Sequence, residues 1–155
     1  MNWREIREIV VASGATTALH TDDRGNYPDD WSRDGRFIVL NNLHRSASLL
    51  PTFGERRPIP LVDTPFTKDE YRFSPDGRWI AYHSTESGRI EVYLASLPSF
   101  THKRQISRDG GGQPFWRADG KELFFLSQDG DMMAVVHVRI SASRSPTSPH
   151  QSPWS

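Results

Sequence analysis

The chain has 155 residues and balances 19 Lys and Arg against 19 Asp and Glu, so its formal net charge is zero. That balance gives no reason to expect nucleic acid or an anionic lipid surface as a partner. The chain contains no cysteine, which excludes disulfides, thiolate metal sites and a cysteine nucleophile. Only 35% of the residues are apolar, while glycine and proline contribute 11 each, which favours short strands and many turns over one deep core.

The first residues of the chain lack the features of an export signal. Residues 1–8 carry charge where a signal peptide has its apolar core. The apolar runs elsewhere fall far short of the ~20 residues that a membrane-spanning helix needs. We therefore expect no signal peptide and no transmembrane segment on this chain, no membrane partner, and a cytoplasmic location by default.

A ten-residue pattern occurs three times, at residues 31–40, 73–82 and 116–125. Each copy reads aromatic residue, two spacers, Asp-Gly, a basic residue and a largely apolar run, and the Asp-Gly pairs lie 42 and 43 residues apart. Asp-Gly between two strand-like runs supplies the positive φ angles of a tight turn. Each copy is therefore predicted to be a β-hairpin with a two-residue turn.

The strand-like segments, taken in chain order, predict blades of four strands, since four strands per ~40–45 residues is typical of a propeller. Within residues 1–28, we expect a third and a fourth strand at residues 9–13 and 17–20. Residues 29–64 predict a blade with a weakly patterned third strand near residues 48–50. Residues 70–108 predict a complete blade, and residues 114–140 the first three strands of another. Residues 141–155 are rich in Ser and Pro and are expected to be disordered.

Residues 73–82, Phe-Ser-Pro-Asp-Gly-Arg-Trp-Ile-Ala-Tyr, resemble the repeat of TolB-type β-propellers. In bacterial proteins such blades follow a Ser/Thr kinase domain or a winged-helix DNA-binding domain, and neither is seen in this sequence. The resemblance covers residues 9–140. It implies an all-β fold of four-stranded antiparallel β-propeller blades, about half of a six-bladed propeller, and it implies no particular reaction.

The residues just before each repeated aromatic are expected to begin the innermost strand of a blade and to face the central channel. There they would form a ligand or peptide surface, or a solvated rim without a ligand. These candidate binding residues are Asp29, Asp30, Glu70, Tyr71, Arg72 and Gln113.

The sequence offers little support for catalysis or metal binding. The nucleophile motif Gly-x-Ser-x-Gly is missing, and none of the six histidines is paired at a zinc-like spacing. His20 precedes Asp22 and Asp23, a grouping that we interpret as a polar loop rather than a metal site. The Asp-Gly turns lack the spacing of an EF-hand loop. We expect no catalytic residues, no metal and no cofactor.

The sequence thus favours a non-catalytic module that binds a protein, peptide or other ligand, as a fragment of a sensory or signalling protein. Two alternatives remain open: a propeller hydrolase or lactonase with its site at the channel mouth, and an incomplete gene product without a role of its own. A homodimer is a further expectation. In it, residues 7–20 of one chain complete the blade formed by residues 113–138 of the other, closing a six-bladed ring.

Overall fold

The structure, a computed structural model, describes residues 5–23 and 25–136, which form four antiparallel sheets in chain order. The first sheet is a hairpin of β1 (Glu5–Ile9) and β2 (Thr16–Thr21). The second contains β3 (Asn26–Trp31), β4 (Phe37–Asn42), β5 (Ser46–Pro51) and β6 (Ile59–Asp63). The third contains β7 (Lys68–Phe73), β8 (Trp79–Ser84), β9 (Glu91–Ser96) and β10 (Lys103–Gln105). The fourth contains β11 (Gly111–Trp116), β12 (Glu122–Ser127) and β13 (Met132–Val136). We call these sheets the first to fourth blades. No helix in the described ranges is long and apolar enough to cross a membrane.

Several strand limits differ from those expected from the sequence. The first strand occupies Glu5–Ile9 rather than residues 9–13, because Val10 begins the turn in which Gly14 N donates to Val10 O over 2.8 Å. The inner strands β3, β7 and β11 begin before the predicted starts at residues 29, 70 and 114. Polar residues and glycines at these starts conceal the strands from a pattern search. The predicted end of the last blade at residues 137–140 and the tail at residues 141–155 lie outside the described residues.

The Asp-Gly turns differ from the predicted two-residue form. In the third blade, Gly77 N donates to Ser74 O over 2.8 Å, so residues 74–77 form the turn and the glycine follows its two central residues. Gly77 has φ +69°, a left-handed conformation that glycine adopts without steric cost. Asp76 Oδ1 accepts from Ser74 Oγ and from Arg78 N. The second blade repeats this arrangement with Ser32, Asp34 and Gly35.

Apolar side chains pack between adjacent blades, at contacts that we call seams. Alternation along β8 sends Ile80 and Tyr82 towards the second blade and Ala81 towards the fourth, and all three are fully buried. In the fourth blade, Leu123 and Phe125 pack on the third blade. The hairpin β1–β2 covers the remaining side of the second blade, where Leu19 joins a buried cluster with the residues Ile38, Leu40 and Leu50.

A buried carboxylate fixes the connection between the third and fourth blades. Glu91 is 1% exposed and its Oε1 accepts from Arg89 Nε over 2.6 Å and from Gly110 N over 3.0 Å. Its Oε2 accepts a hydrogen bond from Ser107 Oγ. Burial raises the pKa of Glu91, but the hydrogen bonds from Ser107, Gly110 and Arg89 outweigh it and hold this pKa below its ordinary value.

Candidate binding site at the inner strands

Each of the three inner strands contains a bulge near the start of the strand. The pairing register shifts between Pro28 and Asp30 in β3, between Asp69 and Arg72 in β7, and between Gly112 and Phe115 in β11. Glu70 and Gln113 have φ angles of +56° and +53°, which non-glycine residues seldom adopt. Bulges of this kind redirect side chains and often occur beside functional sites. We call the surface formed by residues 27–30, 69–72 and 112–115 the mouth.

The predicted carboxylates at the mouth accept hydrogen bonds from the backbone of the next blade. Asp29 Oδ2 accepts from Tyr71 N over 3.2 Å, and Asp30 Oδ2 accepts from Phe73 N over 2.8 Å. One seam further, Glu70 Oε2 accepts from Gln113 N over 2.6 Å. These three side chains therefore join consecutive blades. A ligand at the mouth would bind carboxylates that also hold the blades together.

Asp29 and Arg72 are held by further contacts. Burial raises the pKa of the Asp29 carboxyl, against the lowering effect of its hydrogen bonds from Asn41 Nδ2, at 3.1 Å, and from Tyr71 N. Arg72 Nη1 donates to the carbonyl oxygens of Asp29 and Tyr71, over 2.9 and 2.8 Å. The Arg72 guanidinium is thus directed onto backbone carbonyls and anchors β7 to β3.

Tyr71 does not fit the surface predicted from the sequence. Its side chain is 0% exposed and stacks on Tyr82, with ring centroids 5.4 Å apart. Side chains alternate along a strand, and Tyr71 and Phe73 both point into the seam with the second blade. Burial, and then the nearby Asp29 charge, raise the pKa of Tyr71. Tyr71 is a core residue, and the other five predicted residues are half-buried or exposed.

The structure adds a polar cluster that the sequence reasoning missed. His44 Nδ1 lies 2.6 Å from Asp69 Oδ2 and 2.7 Å from Tyr27 Oη. Asn41 Nδ2 donates to Asp69 Oδ1 over 2.9 Å. Burial, and then the Asp69 charge, raise the pKa of Tyr27. Side chains of the second blade thus surround a carboxylate of the third.

A second histidine–carboxylate pair lies at the next seam, where His83 Nδ1 is 3.0 Å from Glu70 Oε2. A signal for it was present in the sequence. Asn41 and His83 both follow the apolar run of their repeat by the same spacing, so a polar side chain recurs at one position of the second strand. In the loop suggested by the sequence, His20 Nε2 lies 3.5 Å from Asp22 Oδ2. No group of three His, Asp or Glu side chains within the described ranges could hold a metal ion.

A cavity of about 350 Å³ opens at the connection between the third and fourth blades. Its lining residues are Arg89, Ile90, Gly110, Gly111, Gly112, Leu126, Ser127 and Gln128. A Cβ atom built on Gly112 would lie 3.6 Å from His83 Nδ1 and 3.9 Å from Glu70 Oε2, so Gly112, which lines the cavity, is also next to the charged pair. Asp29, Asp30, Asp69 and Glu70 outnumber Arg72 at the mouth, which makes this surface suited to a group that donates hydrogen bonds or carries positive charge.

Comparisons with known proteins agree with this architecture. No family model matches the sequence. An uncharacterized protein of Agrobacterium fabrum is 25% identical over 130 residues, which are 80% of this chain and 43% of that protein. The chain thus spans less than half the length of that relative.

Solved structures give the fold. A protein assigned as TolB from Agrobacterium tumefaciens superposes with a TM-score of 0.66 at 20% identity, over 88% of this chain and 55% of its own. TolB from Acinetobacter baumannii has the same score at 13% identity, over 86% and 38%. An oligogalacturonate lyase in complex with manganese gives 0.57 at 11% identity, over 83% and 41%. The predicted all-β fold of four-stranded antiparallel blades is confirmed, and the chain has the fold of a partial TolB-like β-propeller.

Proposed function

We propose that this chain is a non-catalytic interaction module that binds a peptide segment of a partner protein at the mouth. The observation that carries the proposal is the partly exposed Glu70 carboxylate close to Gly112, a residue that lines a cavity of about 350 Å³. Glu70 keeps 30% of its side chain exposed while bound to His83 and Gln113 N. A peptide side chain with an aliphatic stem and a cationic end suits this site, since the stem would contact Ile90 and Leu126 and the end would bind the Glu70 carboxylate.

The proposed ligand is therefore a peptide that presents a lysine or arginine side chain. A role as part of a sensory or signalling protein accords with this, since a binding surface of this kind needs no reaction of its own. The alternative from the sequence is a hydrolase or lactonase with a site at the mouth, and it would need these carboxylates to act on a substrate. Asp29, Asp30 and Glu70 already accept backbone hydrogen bonds across the seams, which supports the binding role.

Selection of random peptides displayed on phage against the immobilised chain tests this proposal. We expect enrichment of peptides with a basic residue, and synthetic copies should bind Glu70→Gln about tenfold more weakly, since one charge-assisted hydrogen bond is lost. Glutamine keeps an acceptor for Gln113 N. Glu55→Gln, at a carboxylate that is 78% exposed on another surface, is the matched control and should bind normally. Equal loss in both variants, or no enrichment at all, contradicts the proposal.

The homodimer that closes a six-bladed ring stays a prediction. The structure changes what that ring requires. The first blade contains only β1 and β2, and the fourth blade already contains three strands, β11, β12 and β13. If the hairpin β1–β2 of one chain joined the fourth blade of the other, the shared blade would have five strands, one more than the four strands of a blade. The ring therefore requires β2 to pair with β13 as the fourth strand, and β1 to leave the sheet. Deletion of residues 1–20 should then convert a dimer into monomers or aggregates.

A further inference from the structure

The fourth blade leaves one of its two faces uncovered within the described residues. Leu123, Phe125 and Val135 pack on the third blade. Side chains alternate along a strand, so the neighbours of these residues point the opposite way. This second surface, which we call the open face, consists of Phe115, Phe124, Met132, Ala134 and Val136.

The open face is continuous across three strands and apolar. The rings of Phe115 and Phe124 stack with centroids 5.1 Å apart, and Phe124 pairs with Ala134 on the next strand. Met132 is 65% exposed, Val136 55% and Phe115 41%. Glu122 is the cross-strand partner of Val136 at its margin, and Arg117 Nη1 already binds Glu122 over 2.6 Å. A contiguous apolar surface of this kind marks an interaction site.

The repeat shows what the equivalent surface does in the preceding blades. Val39 and Ala81 occupy the position of Phe124 in β4 and β8, and both are 0% exposed because the following blade covers them. The open face therefore continues a series of established sheet-to-sheet interfaces. In such interfaces the two sheets pack about 10 Å apart through apolar side chains.

The opposite end of the chain offers a mixed complement, since the exposed Ile9, Val10 and Val11 of the hairpin β1–β2 lie near charged groups. On the hairpin β1–β2, the exposed Arg7 guanidinium donates to Glu5 Oε2 over 2.8 Å and to Thr16 Oγ1 over 2.9 Å. A head-to-tail contact would place these charges against Phe115 and Phe124, at the cost of removing them from water. Two open faces, in contrast, bring apolar side chains together without burying a charge from either hairpin.

We propose that the open face binds the open face of a second copy of this chain, around a two-fold axis. Such an interface is self-complementary, since each copy contributes the same residues. It differs from the head-to-tail ring in joining fourth blade to fourth blade. It does not require a peptide at the mouth, although Phe115 belongs to both surfaces.

Sedimentation and thiol cross-linking test this arrangement. We expect the intact chain to sediment at close to twice its monomer mass at about 100 μM, well above the dissociation constant of about 1 μM expected for this dimer. Phe124→Lys and the better exposed Met132→Lys should each weaken the dimer at least ~100-fold, because the two-fold axis buries two added charges. Circular dichroism confirms that each variant is folded. Phe53→Lys, at a loop phenylalanine that is 73% exposed, is the matched control and should remain dimeric.

The absence of cysteine from the sequence makes cross-linking specific, since an introduced cysteine is the only thiol. Ala134→Cys alone should form dimers with a bis-maleimide of about 10 Å span, the spacing of packed sheets. Ala18→Cys on β2 alone should not. If the chain sediments as a monomer at about 100 μM, which is 100-fold above the expected dissociation constant of about 1 μM, the proposal is overturned. Cross-links that form only when the Ala134→Cys and Ala18→Cys chains are mixed also overturn it, and favour the ring.

Discussion

Gly77 provides a direct test of the reasoning about the repeated turns. It has φ +69°, and a Cβ atom built on it meets nothing within 4 Å. Any loss on substitution therefore comes from backbone conformation and not from a clash. An L-residue in this region costs about 1–2 kcal/mol. Gly77→Ala should lose about 1 kcal/mol, and Gly77→Val, whose branched Cβ tolerates this conformation least, about 2 kcal/mol or more.

Gly112 is the matched control. Its φ lies outside the left-handed region, and an added Cβ would make ordinary contacts at 3.6 Å to His83 Nδ1 and 3.9 Å to Glu70 Oε2. Gly112→Ala should therefore change stability by less than about 0.5 kcal/mol, since the Cβ also restricts the unfolded chain. For a chain of this length each kcal/mol corresponds to about 2–4 °C in Tm, so Gly77→Val should lower Tm by at least about 4 °C.

Urea and thermal unfolding, followed by tryptophan fluorescence, give the comparison. Gly77→Asn adds a second check, because asparagine adopts the left-handed region more readily than other side chains. We expect it to recover most of the stability that Gly77→Val loses. Equal losses at Gly77 and Gly112, or an Asn variant as unstable as the Val variant, would refute the assignment of the turn.

Three further predictions concern the carboxylates and catalysis. Asp30→Ala should lose about 1–3 kcal/mol, because it leaves the Phe73 amide without its acceptor at a site where Phe73 is 8% exposed. Glu70→Ala should lose less than about 1 kcal/mol, since water can reach the exposed Gln113. A larger loss of unfolding free energy in urea for Glu70→Ala than for Asp30→Ala contradicts these assigned roles. The pKa values of Asp34, Asp76 and Glu91 lie below their ordinary values, so the stability that these groups contribute is present above the ordinary carboxyl range and is lost as the pH falls through their lowered values. Unfolding at pH 7 and pH 3 should show this loss, and Glu91→Gln should reduce it; a midpoint independent of pH contradicts the assignment. A screen of esters, lactones and glycosides, with and without divalent metals, should show no turnover, whereas turnover abolished by Asp30→Asn or Glu70→Gln identifies an enzyme.

The sequence was sufficient to predict the fold because the evidence for it is local and repeated. Asp34, Asp76 and Asp119 mark the same turn at nearly constant spacing, and each is followed by a short continuous apolar run of the kind found in buried strands. The turn type was wrong in detail, because Asp-Gly occurs both in two-residue hairpins and in the longer turn found here. The hydroxyls of Ser32 and Ser74, which bind the aspartates, were the distinguishing signal.

The site was less predictable because its geometry depends on bulges. The prediction places the consecutive residues Glu70, Tyr71 and Arg72 on one surface, but side chains alternate along a strand, and Tyr71 packs with Phe73 into the seam beside the bulge at Glu70. The contact between His44 and Asp69 joins residues of two different blades. Spacing along one chain does not reveal such a pair, since it arises only when the second and third blades pack together.

The hydrogen bonds of Asp29, Asp30 and Glu70 also give chain growth a direction. At each of these seams the carboxylate belongs to the blade that is synthesised first, and the amide belongs to the blade that follows. During synthesis from the N-terminus, a completed blade presents acidic side chains that water can solvate until the next strand arrives. Unfinished seams therefore expose charged acceptors rather than unpaired amide donors, and each newly made inner strand docks onto acceptors that are already in place.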